Sequence, residues 1–159
     1  MGRINFNLGG IMSLSRNLSF FADNLNATAA ILSVQEVATI SATAATGTVN
    51  YDASTQSVLY YTTNASANWT LNIRGNSSTT LNSIMTTGQS ITLAFLVTQG
   101  ATAYYNNALT IDGTSVTPKY QGGTAWTAGN ASGIDTYVYT VIKTGSAAFT
   151  VLALQTQFK

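Results

Sequence analysis

From Thr46 to Phe158 apolar residues recur at every second position, segment after segment, a period that builds β-strands and leaves little room for helix. In Asn68–Arg74, Trp69, Leu71 and Ile73 face one way, and Asn68, Thr70, Asn72 and Arg74 the other. Gln89–Gln99 repeats this with Ile91, Leu93, Phe95 and Val97. Further strands are expected at Thr48–Tyr51, Ser57–Thr62, Ala101–Tyr105, Ala108–Asp112, Ser115–Tyr120, Asp135–Thr144 and Ala148–Phe158, with a single helical turn at Thr80–Met85. Turn signals separate them: Thr62-Thr63-Asn64, Asn106-Asn107, Asp112-Gly113, Gly122-Gly123 and Gly145-Ser146. That rhythm predicts a mainly β fold, an antiparallel β-sandwich or jelly roll.

Two of these strands are apolar on both faces. Asp135–Thr144 carries Tyr137, Tyr139 and Val141 on one side and Val138 and Ile142 on the other, and in the last strand Val151 opposes Leu152 and Leu154. A sheet buried on both sides needs cover beyond its own second sheet. Subunit association would provide it, as would the N-terminal segment within the monomer.

Solubility must come from uncharged groups. Thr, Ser and Asn account for 55 of 159 residues, whereas charged residues are only 7%, against roughly 25% in average globular proteins. The six basic and five acidic residues are scattered singly and give a net charge of +1, so no basic patch exists to neutralise phosphates and nucleic acid is not expected as a partner. The chain has no His and no Cys, which excludes Ser-His-Asp and Cys-His catalysis, thiolate zinc sites and disulfides. No cofactor and no metal is expected. The densest apolar run, Leu93–Val97, is strand length, so membrane insertion is not expected either, and the opening residues lack the apolar core of a secretory signal.

Residues 1–40 read differently from residues 41–159. Leu14, Leu18, Phe21 and Leu25 recur at spacings of four, three and four, with Ser13 placed to cap the first turn and Asn26 to stop the last. This predicts a short amphipathic helix too brief to stand alone, and hence an anchor that docks on something larger. Residues 27–46 carry Ile31, Val34, Val37 and Ile40 at spacings of three, which fits either helix or extended chain, and they are taken as a connector.

The stretch from Leu109 to Asp135, LTIDGTSVTPKYQGGTAWTAGNASGID, with TYVYTVIKT at Thr136–Thr144 and FTVL at Phe149–Leu152, resembles the C-terminal module of virion structural proteins of tailed phages, especially cyanophages and other marine phages. The segment LSRNLSFFADN at Leu14–Asn24 resembles the start of many short virion proteins of that group. Trp126 departs from the pattern, standing where a smaller residue or Pro is expected. The resemblance implies a non-enzymatic β-sandwich, often a homotrimer, made in the host cytoplasm and displayed on the virion surface, where its N-terminal segment holds it to other virion proteins. Tail fibre, baseplate appendage and capsid decoration are all compatible with it. An alternative reading is a carbohydrate- or receptor-binding module that contacts the host surface.

For that alternative, Tyr104, Tyr105, Tyr120 and Trp126 lie in or near the Gly-rich segment 121–133, and rings with neighbouring amides can stack on a sugar and satisfy its hydroxyls. A glycosidase would need two carboxylates flanking the bond, and Asp112 with Asp135 is the only pair on neighbouring motifs; both also suit turns.

Overall fold

The computed structural model describes residues 37–159. The helix expected at 13–26, with Leu14, Leu18, Phe21 and Leu25, lies outside the described residues. The strands are β1 (Ala38–Ala44), β2 (Gly47–Asp52), β3 (Val58–Thr63), β4 (Trp69–Arg74), β5 (Ser90–Thr98), β6 (Asn106–Ile111), β7 (Thr114–Ser115), β8 (Lys119–Tyr120), β9 (Ile134–Gly145) and β10 (Ala148–Phe158). One helical turn, α1 (Leu81–Ile84), follows β4, and a 3-10 turn at Gln121–Gly123 follows β8.

The strands form two mixed sheets, ordered β1-β3-β5-β9-β10-β8 and β2-β4-β6-β7. Here the antiparallel expectation is corrected. β1, β3 and β5 are mutually parallel, as are β2, β4 and β6, and β8 runs parallel to β10. Only β5–β9, β9–β10 and β6–β7 are antiparallel. The reason lies in the links: up to β6 each strand passes to the opposite sheet instead of folding back beside itself. The first link is only Ala45-Thr46, with Ala45 fully buried and Gly47 at φ 55, a left-handed conformation that glycine adopts without steric cost. A turn signal marks where a strand stops, not which sheet receives the next one.

This winding stacks equivalent residues in rows. Val49, Leu71 and Leu109 form one inward row of the four-stranded sheet, and Tyr51, Ile73 and Ile111 the next. On its outer side, Asn72 donates from Nδ2 to Asn50 Oδ1 at 2.8 Å and accepts at Oδ1 from Thr110 Oγ1 at 2.8 Å and Gly113 N at 2.9 Å. The inward rows of the other sheet include Leu59, Phe95 and Tyr137, and Leu93, Tyr139 and Ala153. Both sheets contribute to one core cluster, and Trp69 of β4 meets Phe95 and Tyr137 edge-on at 6.1 and 5.5 Å between ring centres. Full burial of each such ring contributes roughly 1.5–3 kcal/mol. Trp69 Nε1 has no hydrogen-bond partner among the described residues.

Three other expectations shift. The connector is extended where it is described, since β1 starts at Ala38 and crosses the boundary placed at residue 40. Ala101–Tyr105 is a loop, because its backbone serves the Gln99 side chain rather than a ladder. Ser115–Tyr120 splits at Pro118 into β7 and β8, one in each sheet; Pro118 has no N–H to donate, and the chain changes sheets there. The helical turn expected at Thr80–Met85 is α1, capped by Thr80 Oγ1, which accepts from Ser83 N.

Candidate assembly face

The six-stranded sheet presents a second apolar side. Alternation along β9 sends Asp135, Tyr137, Tyr139, Val141 and Lys143 inward, and Val138 and Ile142 outward. Cross-strand register then aligns Ala38, Val58, Ala94, Val138 and Leu154 in one transverse row over five strands. The adjoining row begins Ile40, Tyr60, Leu96 before turning to Thr136 and Thr156. Ile40 is 68% exposed and Leu152, on the same side of β10, is 47% exposed. At the β8–β10 end the surface dips into a 350 Å³ depression lined in part by Tyr120, Val138, Thr140, Leu152 and Leu154. Thr92 and Thr140 Oγ1 atoms hydrogen-bond to each other at 3.0 Å across this side, so part of its polar fringe is already satisfied. The whole surface carries apolar and hydroxyl groups, with Lys119 at its edge.

The ring residues singled out in the sequence come together only in part. Tyr120 and Trp126 pack edge-to-face at 4.8 Å, and Trp126 also meets Tyr137 and Tyr139 at 5.3 and 6.3 Å. Trp126 Nε1 donates to Asn106 O at 2.6 Å, so its indole closes the end of the core. Tyr104 and Tyr105 make no ring contact with this group among the described residues. Their backbone amides are held by Gln99 Oε1 at 3.0 Å and Asn68 Oδ1 at 3.0 Å.

Sequence reasoning passed over two buried amides that organise this end of the molecule. Asn106, read as a turn residue, accepts at Oδ1 from Tyr139 Oη at 2.9 Å and donates from Nδ2 to Trp69 O and Ala108 O. Gln99 donates to Asp135 Oδ2 at 2.9 Å and to Tyr104 O at 2.7 Å. Asp135 is fully buried and also accepts from Asn130 N. Burial raises its carboxyl above the ordinary value, against the hydrogen bonds from Asn130 and Gln99. Burial also pushes the Tyr137 and Tyr139 hydroxyls up, with the Asp135 charge adding to the effect at Tyr137.

The two carboxylates considered for bond cleavage are not brought together. Asp112, at φ 50 just after β6, accepts from Leu81 N at 2.6 Å and Asn82 N at 2.9 Å and so fixes the start of α1. Lys143 fixes the other end through Asn82 O and Met85 O at 2.5 and 2.8 Å. The Asp135 network sits before the start of β6, and a six-residue strand spans roughly 20 Å. Among the described residues no group of three or more His, Cys, Asp or Glu side chains gathers where it could hold a metal ion, and no helix is long and apolar enough to cross a membrane.

The chain matches none of the protein families, curated proteins or solved structures with which it was compared.

Proposed function

We propose that this chain is a non-enzymatic structural protein of a tailed-phage virion, a β-sandwich displayed at the particle surface and attached by its N-terminal segment. On this reading the two sheets are the layers of the sandwich, and three copies associate through the outer side of the six-stranded sheet. The jelly-roll form is not part of the proposal, because jelly rolls are built from antiparallel pairs and β1 to β6 pair in parallel. The observation that carries the reading is the transverse row Ala38, Val58, Ala94, Val138, Leu154 on a sheet side that no described element covers. Monomeric proteins rarely leave a contiguous apolar strip of this kind in water, and a nearly uncharged rim suits a permanent contact. The trimer and the virion setting follow from the resemblance of Leu109–Leu152 and Leu14–Asn24 to phage structural proteins.

Quantitative mass spectrometry of purified particles tests the assignment. The chain is expected in every particle at a fixed copy number divisible by three; its absence from washed, intact particles contradicts the assignment.

A further inference from the structure

A groove of 580 Å³ opens where β5, β9 and β10 end and three loops rise around them. Its floor is the cross-strand row Thr98, Ile134, Phe158, and its walls include Asn64, Gly100, Ser132 and Gly133. Phe158 is 55% exposed. Backbone hydrogen bonds tie the walls together: Ser132 N donates to Gly100 O at 2.8 Å, Gln99 N to Gly133 O at 2.9 Å, and Ala65 N to Thr98 O at 2.9 Å. Behind them the buried Gln99–Asp135 pair ties the loop before β6 to the loop before β9.

Three features of this groove point to the same ligand chemistry. The Asn64 amide and the Ser132 hydroxyl line it and make no side-chain hydrogen bond among the described residues, leaving donors and acceptors of both kinds open to a ligand. Ser132 holds φ 56, a conformation costly for any residue with a Cβ; strain of that kind is kept where the surroundings enforce it and gathers at binding sites. Phe158 supplies an apolar ring beside these polar groups, and among the described residues the only charged side chain in the lining is Lys159. Unpaired amide and hydroxyl groups next to an exposed ring, with almost no charge, match a neutral sugar, which offers hydroxyls at its edge and C–H groups on its face.

We infer that this groove binds a neutral saccharide, with Asn64 and Ser132 bonding its hydroxyls and Phe158 under its ring. The site is distinct from the Tyr120–Trp126 cluster, whose rings are engaged in closing the core. The floor row lies on the same outer side of the six-stranded sheet as the Val138–Leu154 row, two rows nearer the end of the sheet, so association centred on Val138 and Leu154 leaves the groove at its rim; the inference does not rest on the virion reading.

The test is a titration of the isotope-labelled full chain with the methyl glycosides of glucose, galactose, N-acetylglucosamine and rhamnose, followed by amide NMR. At least one sugar is expected to shift the amides of Asn64, Gly100, Ser132 and Gly133. The double substitution Asn64→Ala/Ser132→Gly should then weaken that binding at least tenfold. Glycine suits the left-handed backbone at residue 132, so the variant keeps or raises its thermal midpoint, and a loss of binding cannot be ascribed to unfolding. The proposal is overturned if none of the four sugars shifts these amides, or if the double variant binds as the unaltered chain does.

Discussion

At the scale of single residues, polar side chains at the loop end of the sheets do what charges and disulfides do in other small domains. Asn106 and Gln99 each join segments that are remote in sequence, Asn106 through Trp69 O and Tyr139 Oη and Gln99 through the Asp135 carboxylate, and both are nearly inaccessible to water. Asp135 is the one carboxylate among the described residues that lies fully inside, and its proton is held more tightly in the folded chain than in the unfolded one. Its contribution to stability is therefore largest at low pH. It falls as pH rises from the unfolded carboxyl value, about 3.9, through the raised folded value, and the cost remains at neutral pH. Asp135→Asn should abolish that decline: plotted against pH, its thermal midpoint is expected to rise relative to the unaltered chain over this interval. Parallel curves would contradict a buried, proton-retaining Asp135.

At the scale of elements, the parallel winding of β1 to β6 is supported by side-chain rows as well as by backbone ladders. Asn72 is the centre of the outer row, bonded to Asn50, Thr110 and the Gly113 amide. Asn72→Ala removes all three bonds at a half-buried position and should destabilise the fold by about 1–3 kcal/mol, measured by urea unfolding. An effect below a few tenths would mean that the row is incidental. Arg74 and Asp52 pair at 2.6 Å two residues along, but both are partly solvated, so that pair contributes at most about 1 kcal/mol.

These elements also show what was legible in the chain beforehand. Alternation in Trp69–Arg74 and Ser90–Thr98 placed those strands and their inward faces, because the period is a local property of the backbone. The two-sided strands β9 and β10 revealed the second apolar side of their sheet for the same reason. Pairing direction was not legible, since Ala45-Thr46 is as short as a hairpin link yet delivers the chain to the other sheet. Nor was the fate of Trp126: its ring contacts come from Tyr120, Tyr137 and Tyr139, and only the fold makes those four rings neighbours. The saccharide groove was equally hidden, because Asn64, Ser132 and Phe158 lie in three separate segments with no shared motif.

At the scale of the whole molecule, the proposed function gives the two faces of the six-stranded sheet different tasks. The inner one closes the core against β2, β4 and β6; the outer one, with Val138 and Leu154 adjacent in its central row, is the surface through which copies would join. Val138→Lys/Leu154→Lys places two like charges on that row, which a solvated monomer tolerates and a dry interface does not. The direct test is the mass of the purified full chain in solution by light scattering, taken beside this double variant. The account predicts three times the chain mass for the unaltered protein and a folded species of single-chain mass for the variant. A single-chain mass for the unaltered protein, or a trimer that the two lysines leave intact, would contradict it.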